Sequence, residues 1–113
     1  MTSPEILPAN FTISAQAKRG FEKVRADYDA ASPDDRAAVL CVAWAVTIPE
    51  SGPHMQNVLI TYYPKSMLAE VAHGIQEVSG VKLVFFTTEE FYGKFEGKIL
   101  DFTRDRGFFL RNR

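Results

Sequence analysis

The order of segments in this 113-residue sequence predicts an α+β domain: a mixed or antiparallel sheet carrying helices at its edge or on one face. Three observations carry the expectation. Ala17, Phe21, Val24 and Tyr28 recur at helical spacing. The stretches 39–48 and 57–63 are rich in β-branched and aromatic residues, as strands are. In the last third, short apolar segments containing Leu83, Leu100 and Phe109 are punctuated by Gly97 and Gly107.

Pro4 and Pro8, with no periodicity around them, mark residues 1–10 as a loosely held N-terminal arm of a single domain, 1–113. Ser14 is a good N-cap for the first helix. Pro33 ends it, because proline disfavours helical geometry in the residue before it. Ser32, Pro33, Asp34 and Asp35 could open a further helical turn. The run Ala37 to Ile48 is apolar on every face and suits a buried strand or a buried helix; its branched residues tip it toward a strand from about Val39. A loop at 49–53 and an alternating strand from Asn57 to Tyr63 follow. Met67, Leu68, Val71, Ile75 and Val78 then predict a helix over 66–78, although Ile75 to Val84 around Ser79-Gly80 also fits a hairpin. Val81 to Thr87 reads as a strand, and Thr87 or Thr88 caps a short helix containing Glu89, Glu90 and Phe91. Two strands, from Lys98 to Thr103 and through Phe108 to Leu110, complete the chain.

Composition excludes several classes of function. Thirteen basic side chains against fourteen acidic ones leave no broad positive field, which makes nucleic acid an unlikely partner. The opening MTSPEILPANF lacks a basic segment followed by an apolar run, and Ala37 to Val46 is too short to span a bilayer, so no membrane partner is expected. One cysteine, Cys41, forbids an intramolecular disulfide, and the expected location is a reducing compartment, most simply the cytoplasm.

Gly80-Val81-Lys82 opening a strand, Phe95-Glu96-Gly97 before Leu100-Asp101-Phe102, and Gly107-Phe108-Phe109-Leu110 together resemble the HesB-like family, the A-type carriers of iron–sulfur cluster assembly. Phe11 to Ser14 before an alanine-containing helix is similar to the family's opening. The resemblance implies a HesB-like fold, but its matched residues are turn and core positions. The family's ligands are three cysteines, one in a mid-chain Ser-Gly-Cys-like loop and a Cys-x-Cys pair near the C-terminus. Here the loop reads Ser51-Gly52-Pro53, and the chain stops at Arg113 where the pair would begin. A cluster needs several thiolates to fill iron coordination, so no cofactor is expected. The helix expected at 66–78 is a second departure from the family.

The remaining candidate residues have ordinary structural explanations. Cys41, His54 and His73 match no usual ligand spacing. Glu89 and Glu90 suit a helix N-terminus, and Asp101 suits a turn hydrogen bond or a salt bridge with Arg104 or Arg106. Two functional expectations remain. The first is non-enzymatic protein–protein association on a scaffold that has lost iron–sulfur binding, as a homodimer or with an unknown protein partner. The second is a small-molecule binding module in which Trp44, Tyr62, Tyr63 and Phe91 wall a pocket. Arg104 and Arg106, interleaved with aromatic rings, could serve either a ligand or a partner surface.

Overall fold

A computed structural model describes residues 5–47 and 55–113. Its elements are β1 (Glu5–Ile6), β2 (Thr12–Ile13), α1 (Ala15–Ala31), β3 (Ala37–Thr47), β4 (Met55–Pro64), α2 (Leu68–Val71), β5 (Gln76–Val78), β6 (Val81–Thr87), α3 (Glu89–Phe95), β7 (Lys98–Thr103) and β8 (Gly107–Asn112). The fold is α+β with two mixed sheets. In the larger, strands run in the order β1-β6-β3-β4, with β5 also on β6; in the smaller the order is β2-β7-β8.

The apolar run that suits either a strand or a helix is the central strand β3. It is antiparallel to β4, with Cys41 opposite Thr61 and Trp44 opposite Val58, and parallel to β6, with Val42 opposite Phe85. A strand hydrogen-bonded on both edges and covered on both faces must be apolar throughout, which is why periodicity there is silent. One face contributes Leu40, Val42, Val58, Leu83 and Phe85 to the main core with Phe11, Phe21, Phe95 and Leu100. The opposite face packs Val39 and Val84 against Val71, Ile6 and Tyr63.

Ser14 caps α1 by accepting from the Ala17 amide. Gly20 lies where the helix crosses the smaller sheet. A Cβ there would stand 2.8 Å from Phe108 Cζ and 3.0 Å from Phe102 Cγ, so the glycine sets how closely helix and sheet approach. Phe108 continues the contact, stacking on Phe21 at 5.3 Å between centroids.

Of the N-terminal arm, residues 1–4 lie outside the described residues, and the following segment meets the larger sheet: Glu5 and Ile6 pair with β6, and the Leu7 amide donates to the Phe85 carbonyl. The Gln76 amide group clamps the same segment, accepting from Ala9 N and donating to Leu7 O, both at 2.8 Å. The helix expected at 66–78 is replaced. Helical turns cover only 65–74, and β5 then forms a hairpin with β6 through Ser79 (φ 51°) and Gly80 (φ 83°). Two successive positive φ angles suit the right-handed twist of a two-residue hairpin. The apolar spacing misleads because Leu68 and Ile75 remain 41% and 36% exposed, while Ile6 packs where a side chain on residue 74 would stand. Residues 33–35 form a turn, not a helix, before β3.

Candidate functional site

Trp44 and Phe91 come together. Inward-facing residues of β3 and β6 run in parallel register, Val42 beside Phe85, so two residues on Trp44 and Thr87 share a face at the same end of the sheet. The short α3 follows directly, with Thr88 as its cap accepting from the Phe91 amide. That cap aims Phe95 into the core, where it is fully buried, and sets Phe91 against Trp44. Trp44 stands 5.9 Å from Phe91 and 5.7 Å from Phe95, meeting the latter edge-on, with Lys94 Nζ 5.6 Å from its ring centroid. A cavity of about 250 Å³ opens here, lined by Ala43, Trp44, Leu59, Phe86, Thr87 and Phe91.

Two polar atoms of these lining residues have no hydrogen-bond partner among the described residues. Trp44 Nε1 and Thr87 Oγ1 are both buried without one, and Thr87 is only 3% exposed. A buried donor or acceptor left unmade costs about 1–3 kcal/mol, so each atom favours whatever can bond to it.

The tyrosines do not join this cavity. Adjacent strand residues face opposite ways, and Tyr62 and Tyr63 follow that rule. Tyr62 turns inward and donates to the Phe21 carbonyl at 3.2 Å, its pKa raised by burial. Tyr63 packs on the outer face, where burial and then its hydrogen bond to Cys41 push its pKa up to about 12. Cys41 is buried in β3, and desolvation raises its pKa despite the Tyr63 hydrogen bond. A buried, protonated thiol is a poor nucleophile.

The charged candidates are also dispersed. Arg104 is exposed in the β7–β8 turn and lines a separate groove beside α1. Arg106 sits in the same turn with its guanidinium 3.8 Å from the Phe109 ring centroid. Neither pairs with Asp101. That carboxylate instead accepts from Ser14 Oγ, Phe102 N and Arg111 Nε, each at 2.7–2.8 Å. These bonds, Ser14's first, hold its pKa below the ordinary value against burial. Glu89 and Glu90 are exposed in the first turn of α3. His73 is exposed, and His54 and the loop at 49–53 lie outside the described residues. Among the described residues no group of three metal-ligating side chains converges, and no helix is long and apolar enough to cross a membrane.

Sequence reasoning misses Thr87, because a threonine within a strand is ordinary there. Its partner atoms become conspicuous only once β3 and β6 are set in parallel register. Comparison of the chain with protein-family models, curated proteins and solved structures gives no match.

Proposed function

We propose that the protein is a small-molecule binding module whose ligand enters the cavity between Trp44 and Phe91. The observation that carries this reading is the pair of buried, unpartnered atoms in an aromatic wall, Trp44 Nε1 and Thr87 Oγ1. Aromatic rings give a flat apolar group its contact area, while the indole N–H asks for an acceptor. The complementary ligand is therefore a small planar molecule bearing a carbonyl-type oxygen. Trp44 is the chain's one tryptophan, which makes its indole N–H resonance an unambiguous reporter. Titration with benzamide should move that resonance downfield and saturate. An unmoved indole resonance at saturating probe, with the cavity remaining empty, sinks the reading.

Association is the second reading, favoured by Leu59. This residue is 45% exposed beside the same cavity, on a strand that ends its sheet and pairs only with β3 among the described residues. An apolar residue on an edge strand is a natural place for another chain to add. Sedimentation across a concentration series tests it: a homodimer that Leu59→Lys dissociates supports association, and a monomer at every concentration removes self-association. The HesB-like ancestry of the scaffold is proposed on its turns: Gly80, Gly97 and Gly107, all within the resembling segments, each take a positive φ. Loss of the ligand cysteines belongs to the same proposal.

A further inference from the structure

A groove lies away from Trp44, between α1 and the β7–β8 turn. It encloses about 500 Å³ and is lined by Gln16, Arg19, Lys23, Phe102, Thr103 and Arg104, with Gly20 at its base. That volume is within the range of small-ligand sites. Three of its lining side chains are cations and none is acidic.

Neither the chain's overall charge nor local pairing accounts for that concentration. Acids outnumber bases over the whole sequence, fourteen to thirteen. The ion pairs among the described residues are Arg25–Asp29 and Arg111–Asp101, so Arg19, Lys23 and Arg104 pair with no carboxylate of a described residue. Arg19 and Lys23 are one turn apart on the same helix face, a like-charge spacing that destabilises a helix by a few tenths of a kcal/mol. Arg104 then adds a third positive charge from the other wall. An anion between them relieves all three.

The rest of the groove is aromatic. Gly20 lets Phe102 and Phe108 press against α1, and the Phe102 ring, 4.8 Å from Phe108 between centroids, forms part of the wall. A glycine in a helix interior costs about 1 kcal/mol relative to alanine. It is tolerated here where close approach shapes the groove. Cations on both sides and an apolar ring between them describe a ligand with a charged end and a flat end.

We propose that this groove binds a small phosphate monoester attached to a flat ring, with Arg19, Lys23 and Arg104 on the phosphate and Phe102 against the ring. A monoester carries close to two negative charges at neutral pH and several acceptor oxygens, which suits three cations lining one groove better than a single carboxylate does. A nucleic-acid strand fits less well, since it needs a basic track longer than one cluster. The groove and the Trp44 cavity share no lining residue, so this inference stands or falls independently of the proposed function.

Amide chemical shifts of the intact chain should be followed during separate titrations with phenyl phosphate, inorganic phosphate and benzyl alcohol. Phenyl phosphate is expected to move Gly20 and Thr103 saturably and to bind more tightly than either fragment. Added salt should weaken it. Arg104→Gln and Lys23→Gln, both at exposed positions that leave the core intact, should each weaken it by about tenfold through loss of a charge-assisted contact. Equal affinity for inorganic phosphate, no movement of those amides, or full binding in both variants overturns the proposal. So does a single-stranded oligonucleotide that binds more tightly and moves amides well beyond the groove.

Discussion

Ser14 and Asp101 fasten the start of α1 to β7: Ser14 Oγ donates to Asp101 Oδ1 at 2.7 Å and accepts from the Ala17 amide at 3.1 Å. One hydroxyl therefore caps a helix and satisfies a carboxylate that is only 8% exposed. Ser14→Ala should cost about 1–2 kcal/mol, the usual loss for a cap. Asp101→Asn should cost about 2 kcal/mol by weakening bonds to a charged acceptor. Because they share one bond, the double variant should lose less than the sum of the two. Urea denaturation of the four proteins in the cycle measures that coupling, and strict additivity contradicts the shared bond.

Asp101 also predicts the acid limb of stability. Its pKa is lowered in the folded state from the ordinary 3.8. The sign follows from linkage: the unfolded chain takes up the proton first as pH falls, so the stabilisation is present above about pH 4 and lost below it. Denaturant midpoints measured from pH 6 to pH 2 should fall more steeply for the native chain than for Asp101→Asn. Parallel curves would exclude Asp101 as the source.

Tyr63 sets the alkaline limb in the opposite sense. Its folded pKa of about 12 lies above the ordinary 10. The stability associated with its protonated form is complete below pH 10 and is lost as pH rises toward 12. Tyrosinate absorbance should show a component titrating near pH 12, and Tyr63→Phe should remove that component while leaving the raised Tyr62 titration in place. In the same outer face, Cys41 should react with a thiol reagent only upon unfolding, as its burial and raised pKa require.

Gly20→Ala tests the helix–sheet approach against helix propensity. Alanine favours a helix by about 1 kcal/mol, yet the new Cβ meets Phe108 Cζ at 2.8 Å and the base of the Phe102 ring at 3.0 Å. Displacing two packed rings should outweigh the gain and leave the variant about 1–2 kcal/mol less stable. A higher melting temperature would show that the rings yield freely. Restored stability in Gly20→Ala combined with Phe108→Leu would locate the clash.

Gln76→Leu keeps the bulk and removes both hydrogen bonds to the N-terminal segment. Hydrogen exchange should accelerate at Ala9 and Leu7 far more than in β3, because the lesion opens an edge rather than the centre of the sheet. Uniform acceleration would instead indicate global destabilisation.

Legibility in the sequence follows the reach of the interaction concerned. Ser14 capping α1 and Thr88 capping α3 are local arrangements of a side chain and a nearby amide, and both are readable. The alternation through Tyr62 and Tyr63 is local too, and could have separated those residues at once. The Gln76 clamp spans more than sixty positions in sequence, so the proline-marked arm gives no sign of being held. Leu68, Val71 and Ile75 carry helical spacing, yet β6 has an edge to fill, and strand pairing of residues 76–78 prevails over local preference. For the candidate sites, Trp44 stands out as the one aromatic residue of an aliphatic run, and Phe91 lies in an aromatic segment. The convergence of Arg104 on Arg19 and Lys23 depends on where β7 meets α1; the nearest local hint is the like-charge spacing on the helix.

The placement of β2 dictates an order of assembly. Thr12 and Ile13 run parallel to Ile99 and Leu100, and Glu5 and Ile6 pair with Thr87 and Phe86, so β1 and β2 wait for strands synthesised well after them. The β3–β4 hairpin can form while the chain is still being made, but neither edge of the finished structure can close until β6 and β7 are free of the ribosome. A nascent chain halted before residue 98 would hold β2 without its partner, and Phe11 and Ile13 would lack Leu100 to complete their core. Closure of this sheet thus depends on β7, and a product truncated before residue 98 would display the apolar surface by which quality-control proteins recognise it.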